Sequence, residues 1–372
     1  MKKILIVYHY VAHYRAGIFK ELLDSDSSTI NFEYHIAASS ATNISSINVI
    51  SPDSCAWLRN RWVELKNIWL LDKILWQKGL VAEVISGKYD VYIFLGNVYF
   101  ISTWVSIIIA KFQKKPVYLW THGLLRDEGG VKWQLRKIFY SLADGLLLYG
   151  NRAKQILINK GISEGKLHVI YNSLDYNNQI QLLKNIDNPD IDIPKNSKYI
   201  VVSCRLTKEK KVELAIQAMK ILVRYAPCLL VIIGDGDESA NLKKLALDLG
   251  VAEYVKFFGA CYDERKMANI ISNASVSVIP GDIGLSAIHS LTYGTPVVTH
   301  NNLSRHKPEV EAIIDQVSGS FYDEGSIESL AQKLQSWLTK DDVNVSDACK
   351  RIISDRFTPG RQRFYIEEAI RQ

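Results

Sequence analysis

The segment Ser203-Cys204-Arg205-Leu206-Thr207-Lys208-Glu209-Lys210-Lys211 leaves a strand-like apolar run and enters a helical pattern with apolar positions at Val212, Leu214, Ala215 and Ala218. Arg205 and Lys210 are thereby placed at the carboxyl end of a strand. A guanidinium offers a two-pronged donor and an ammonium a mobile point charge, which together suit a diphosphate that must leave with extra negative charge. A solvated basic loop ahead of a helix has the same composition. A second segment, Gly234-Asp235-Gly236, follows the apolar run Leu229 to Ile233 and precedes a helix beginning near Ser239, so a glycine turn meets a helix N-terminus that can hold an anion. Ser239 stands where a Gly-x-Gly-x-x-Gly nicotinamide site needs its third glycine. The third segment is Pro280-Gly281-Asp282-Ile283-Gly284-Leu285, with His289 one turn further on and Gly294-Thr295-Pro296-Val297-Val298 closing it. Its glycines let backbone approach a ligand, and a helix starting near Leu285 aims N–H groups the same way. Asp282 and His289 are then candidates to face sugar or ribose hydroxyls, although His289 suits a hydrogen-bonded core position equally well.

These loops need a scaffold. Ile4 to Tyr8, Val91 to Leu95, Val117 to Trp120 and Gly145 to Tyr149 read as strands separated by amphipathic helical patterns, and the alternation resumes at Tyr199 to Ser203, Leu229 to Ile233, Val255 to Phe258, Val276 to Ile279 and Pro296 to Thr299. The expected fold is α/β, with two doubly wound Rossmann-like domains facing across a cleft lined by the carboxyl ends of their sheets. The boundaries predicted are 1–176 for the first domain, 177–197 for a linker rich in Asn, Asp, Ile and Pro, 198–357 for the second, and 358–372 for a last amphipathic helix able to fold back on the first. The five cysteines are dispersed, odd in number and form no Cys-x-x-Cys pair, so neither a zinc site nor a disulfide framework is signalled and a reducing compartment fits best. At 48% hydrophobic and 23% charged, the chain is not of the disordered class. The longest apolar run, Ile101 to Ala110, is about half of a membrane span.

Charge is uneven. Residues 1–175 hold 21 Lys+Arg against 14 Asp+Glu, whereas residues 176–372 hold 24 against 25, so the surplus is all N-terminal. An anionic partner for the first domain follows. Trp57, Trp62, Trp69 and Trp76 interleave with Arg59, Arg61, Lys66, Lys73 and Lys78, the composition of an interfacial segment and hence of contact with an anionic membrane surface through the Trp57 to Lys78 region. A Trp-rich amphipathic helix packed on its own domain has similar content. No helix-turn-helix, zinc-finger or RNA-binding motif is present, so nucleic acid is not expected as a partner.

In their order and spacing these segments, together with Tyr14-Arg15, His122-Gly123 and Tyr171-Asn172-Ser173-Leu174-Asp175, resemble the retaining glycosyltransferases of family four, which have the GT-B fold. The resemblance implies that Arg205 and Lys210 bind a donor diphosphate, that His122 lies near the transferred sugar, and that Gly234, Gly236 and the loop from Gly281 through Asp282, Ile283, Gly284 and Leu285 to His289 line the donor. Tyr14, Arg15, His122, Gly123 and Arg126 are expected on the acceptor side, with His122, Arg205 and Lys210 as the catalytic set. The family's Glu-x7-Glu motif is absent: Gly281 and His289 occupy the two glutamate positions.

The activity this implies is transfer of a hexose-type sugar from a nucleoside diphosphate sugar to a lipid-linked or oligosaccharide acceptor in bacterial surface polysaccharide assembly, with retention, by a cytoplasmic protein at the inner face of the membrane. A sugar-nucleotide epimerase of the same fold and a non-catalytic donor-binding partner subunit are the alternatives. No cofactor and no metal are expected; Asp24-x-Asp26, Asp190-x-Asp192 and Asp235-x-Asp237 match a short acidic metal-binding pattern that is common by chance.

Overall fold

The structure is a computed structural model that describes residues 1–24, 32–42, 47–184, 197–225, 228–340 and 343–371. It comprises two compact units, Met1–Asp175 with Thr358–Gln372, and Tyr176–Phe357. The helix Tyr176–Leu183 therefore opens the second unit, within the stretch read as a linker, while 185–196 lie outside the described residues.

The first unit is built on a seven-stranded parallel sheet in the order Leu167–Val169, Gly145–Leu148, Val117–Thr121, Val91–Leu95, Lys2–Val7, Phe32–Ala38 and Trp62–Glu64. Its central strands are apolar on both faces because both are covered. Ile4, Ile6, Ile93 and Trp120 face the helices Ala16–Leu23 and Pro359–Arg371, whereas Leu5, Val7, Tyr92, Phe94 and Leu119 face the helices between Leu80 and Asn159. The tail helix is fixed to this unit by polar bonds as well: Ser173 Oγ donates to Gln362 Oε1 at 2.7 Å, and Gln362 Nε2 donates to the Tyr171 carbonyl at 2.7 Å.

The second unit carries a six-stranded parallel sheet in the order Val255–Gly259, Leu229–Ile233, Tyr199–Ser203, Val276–Val278, Val297–His300 and Gly319–Tyr322. The chain reverses its direction of travel across this sheet between Tyr199–Ser203 and Val276–Val278, and across the first between Lys2–Val7 and Val91–Leu95. Loops leaving the carboxyl ends of strands at such reversals are where open α/β sheets bind ligands. In the second unit those loops are Cys204 to Lys211 and Ile279 to Gly284.

The Trp57 to Lys78 region departs from the helical alternative. It contains the edge strand Trp62–Glu64 and an antiparallel hairpin, Lys66–Leu70 with Ile74–Lys78. Leu75 and Gln77 face inward and are buried, while Ile68 and Leu70 on the other face are exposed. No helix among the described residues is long and apolar enough to cross a membrane.

Candidate functional site

Three loops of the second unit interlock through their backbones. Leu206 N–H donates to the Asp235 carbonyl at 2.9 Å and Glu238 N–H to the Leu206 carbonyl at 3.1 Å. A Cβ at Gly234 would lie 1.9 Å from the Cys204 carbonyl oxygen, and one at Gly236 would lie 2.4 Å from that of Leu206. The two glycines are therefore needed for backbone contact, and that contact fixes the loop bearing Arg205, which is exposed. The third loop docks on the other side of the same segment: Gly281 N–H donates to the Lys210 carbonyl at 2.8 Å and Asp282 N–H to that of Glu209 at 2.9 Å. Lys210 Nζ returns a bond to the Asp282 carbonyl at 2.5 Å.

This docking leaves no room for a side chain at the first of the two positions where the resemblance expects a glutamate. A Cβ on Gly281 would lie 1.9 Å from the Glu209 carbonyl oxygen, so no side chain fits there while the two loops are joined. At the second position, His289 Nε2 lies 2.8 Å from Glu264 Oε1, which also accepts from Tyr293 Oη at 2.5 Å and Gln179 Nε2 at 2.9 Å. Burial opposes ionisation of Glu264, but these bonds and the adjacent His289 outweigh it and pull its pKa down to about 2. His289 is thus engaged with a carboxylate of its own unit.

Asp282 is likewise partnered. Its Oδ1 lies 3.3 Å from Arg305 Nε, and Arg305 Nη1 lies 3.3 Å from Glu324 Oε1. These three residues, with Lys211 and His300, border a cavity of about 40 Å³, room for a few waters. The loop is held from below by His306, whose Nδ1 accepts from Ile283 N–H at 3.2 Å and whose Nε2 donates to the His300 carbonyl at 2.8 Å. Burial is the main reason its pKa is lowered to about 4. Gly284 and Leu285 then begin the helix Leu285–Thr292, which has no side-chain N-cap, so its first N–H groups are not satisfied by one.

Glu264, Arg305 and His306 were not singled out from the sequence. Glu264 had one local signal: Asp263 precedes it as a helix N-cap, accepting from Arg265 and Lys266 N–H. Arg305 and His306 sit in a polar loop with no local pattern.

In the first unit two of the predicted acceptor-side residues, Arg15 and His122, meet at Tyr149. Arg15 is buried, with Nη1 donating to Asn172 Oδ1 at 2.8 Å and Nη2 to Tyr149 Oη at 2.7 Å. The His122 ring centroid is 4.7 Å from that of Tyr149, and His122 itself is exposed. Gly123 follows at φ 63°, a left-handed conformation that glycine adopts without penalty. Tyr14 and Arg126 are exposed. Arg15 thus braces the Tyr149 and Asn172 side chains, and His122 presents an imidazole beside them. Near the end of the first strand, His9 lies within a ring cluster of Tyr10, Phe100 and Trp69, and burial lowers its pKa to about 4.

Of the three acidic triplets, Asp26, Asp190 and Asp192 lie outside the described residues, and Asp235 Oδ1 accepts from Gly236 N–H at 2.8 Å. Among the described residues no three His, Cys, Asp or Glu side chains cluster as a metal site.

Residues 184–354 match the family model described as Glycosyl transferases group 1. The lipopolysaccharide core biosynthesis glycosyltransferase LpsE of Rhizobium meliloti is 28% identical over 150 residues, 40% of this chain and 42% of that protein. The O-antigen biosynthesis glycosyltransferase WclY of Escherichia coli is 25% identical over 246 residues, 65% of each. The chain spans 36% to 65% of the length of the curated relatives it matches first. Among solved structures, the lipopolysaccharide outer core galactosyltransferase WaaB superposes with a TM-score of 0.73 at 17% identity, covering 100% of this chain and 99% of WaaB. Anabaena Alr3699/HepE, solved in complex with UDP, gives 0.69 at 16% identity with 100% of both chains covered. The chain therefore has the GT-B fold, and residues 184–354, a little under half of it, are similar to the glycosyl transferases group 1 family.

Proposed function

We propose that this protein transfers a hexose-type sugar from a nucleoside diphosphate sugar to a hydroxyl of a lipid-linked glycan during assembly of a bacterial surface polysaccharide, with retention at the anomeric carbon. The observation that carries the reading is the loop bearing Arg205 and Lys210, joined by backbone bonds to the Gly281 loop at the strand reversal of the second unit and within the matched residues. Relatives named for lipopolysaccharide core and O-antigen biosynthesis support the pathway class, and HepE, solved with UDP and with UDP-glucose, supports a uridine diphosphate donor.

In the proposed step the bond between the sugar's anomeric carbon and the β-phosphate oxygen breaks, and the acceptor oxygen bonds to that carbon on the same face. The acceptor proton passes to the departing phosphate oxygen, so the products are the glycoside and a nucleoside diphosphate. Arg205 and Lys210 stabilise the charge that grows on the diphosphate. His122 stands beside the sugar. No metal takes part, so transfer persists in a chelator; strict dependence on magnesium or manganese contradicts this. The protein acts at the cytoplasmic face of the membrane.

The test is transfer from a panel of nucleotide sugars by wild type, Arg205→Ala and Lys210→Ala, with folding checked in each. Losing one preorganised donor to the leaving group lowers the rate by about 100- to 1,000-fold. Full turnover in both folded variants removes the diphosphate assignment. Product formed from donor alone, without acceptor, identifies an epimerase instead.

A further inference from the structure

The hairpin Lys66–Leu70 with Ile74–Lys78 is attached to the first unit by one face and leaves the other uncovered. On the attached face Asn67 Nδ2 donates to the His9 carbonyl at 2.6 Å, Gln77 Nε2 donates to the Tyr8 carbonyl at 2.9 Å, and Leu75 is fully buried. The outward face carries three cross-strand pairs, Lys66 with Lys78, Ile68 with Trp76 and Leu70 with Ile74.

Two features of that face work against the isolated fold. Leu71 at the turn is 88% exposed and has φ 52°, a left-handed conformation costing a leucine about 1–2 kcal/mol, where glycine or asparagine is the usual choice. Lys66 and Lys78 stand directly opposite each other, an unfavourable like-charge pair, and neither they nor Lys73 is paired with a carboxylate among the described residues. Two exposed leucines beside the charged turn residues Asp72 and Lys73, and an uncompensated cationic base, become favourable together in one environment, the boundary of an anionic bilayer. The base pair and the tip are four residues apart, about 13 Å along a strand. Leu70 and Leu71 then reach the upper acyl region while the lysines meet phosphates. Asp72 and Lys73 in the turn keep the tip at that boundary.

We propose that this hairpin is a membrane wedge that docks the first unit on anionic phospholipid. Because Asn67 and Gln77 clamp it to the carboxyl end of the first strand, docking brings the edge of the sheet where an acceptor binds to the level of the lipid headgroups. The proposal deepens the reading of a lipid-linked acceptor and rests on it for its purpose.

The experiment is co-sedimentation of the full chain with vesicles of phosphatidylethanolamine and phosphatidylglycerol, and with phosphatidylcholine alone, at low and high salt. Wild type is expected to pellet with the anionic vesicles and to be released by salt. The double substitutions Leu70→Glu with Leu71→Glu, and Lys66→Glu with Lys78→Glu, are each expected to weaken partitioning by at least about tenfold. Wild type that stays in solution, or variants that pellet as wild type does, overturn the proposal. So does a dimer in vesicle-free solution that Leu71→Glu dissociates, since the face then belongs to a second copy. A UDP-induced rise in melting temperature, measured in the same variants, reads the donor site separately. Vesicle binding without that rise upholds the wedge and removes the uridine diphosphate donor.

Discussion

His289 Nε2 lies 2.8 Å from Glu264 Oε1, and through that contact the helix Leu285–Thr292 is tied to the helix Glu264–Ser272. The same oxygen accepts from Tyr293 and from Gln179 of the helix Tyr176–Leu183, so a single carboxylate joins three elements of the second unit. At the second position where the resemblance expects a glutamate, the chain thus has a histidine held to a carboxylate that another helix supplies.

Glu264→Ala strands three donors at once. Each buried donor left unsatisfied costs about 1–3 kcal/mol, but the Glu264 side chain is 35% exposed and water replaces part of what is lost, so a net destabilisation of about 2 kcal/mol is expected. Urea denaturation measures it, and an unchanged midpoint contradicts the assignment. The acid limb of stability carries a second readout. With a folded pKa of about 2 against the ordinary carboxyl value of 4.5, Glu264 stabilises fully above pH 4.5 and loses that contribution as pH falls toward 2. Glu264→Gln should flatten stability over that window.

Placing a carboxylate at Gly281 by Gly281→Glu is expected to harm the protein. The new Cβ would fall 1.9 Å from the Glu209 carbonyl oxygen, so the joined loops must separate. Overpacking of this kind costs about 1–3 kcal/mol, and separation moves Lys210 from the Asp282 carbonyl. A lower melting temperature together with weaker UDP binding is the expected pair of results. A stable variant with tighter nucleotide binding would show that the loop accommodates a side chain.

The sheets were legible in the sequence where strands are central. Val91–Leu95, Tyr199–Ser203 and Leu229–Ile233 are uninterrupted apolar runs because both of their faces are covered, and their bounds coincide with expectation. The edge strands Trp62–Glu64 and Leu167–Val169 are three residues each and contain Glu64 and His168, so no run of apolar residues marked them. The hairpin was masked for a different reason. Its turn has Leu71 and Asp72 at positive φ, with no glycine or asparagine to announce it. Arg205, Lys210 and the Gly281 loop were legible because they follow strands directly. The partners of Asp282 and His289 were not, since Arg305 and Glu264 are 23 and 25 residues away in the chain and are brought near only by the fold.

Arg15→Lys tests the bracing role in the first unit. An ammonium cannot span Asn172 Oδ1 and Tyr149 Oη in the manner of the guanidinium fork, and it gives up the stacking of Arg15 over the Tyr149 ring at 5.0 Å. A loss of about 1–3 kcal/mol is expected, as for a buried charge-assisted hydrogen bond. If Arg15 acts on the acceptor rather than as a brace, the variant should instead keep its melting temperature and show only a raised acceptor KM.

The bond between Ile283 N–H and His306 Nδ1 predicts how the second unit responds to acid. Accepting at Nδ1 while Nε2 donates to the His300 carbonyl requires the neutral ring, and protonation would turn the acceptor into a donor facing another donor. Burial holds the folded pKa at about 4, whereas the unfolded chain takes up the proton near the ordinary imidazole value of 6.5. The stabilisation is therefore complete above pH 6.5 and is lost as pH falls toward 4, amounting to about 2 kcal/mol by pH 5. His9, also lowered to about 4 by burial, adds a loss of the same sign in the first unit. His306→Asn offers an amide oxygen to Ile283 N–H and does not titrate. It should fold at neutral pH and show a shallower decline in melting temperature between pH 6.5 and 5 than wild type. An equal decline in both proteins would mean that the His306 ring is already charged in the folded state, and that the Asp282-bearing loop is held by something other than this bond.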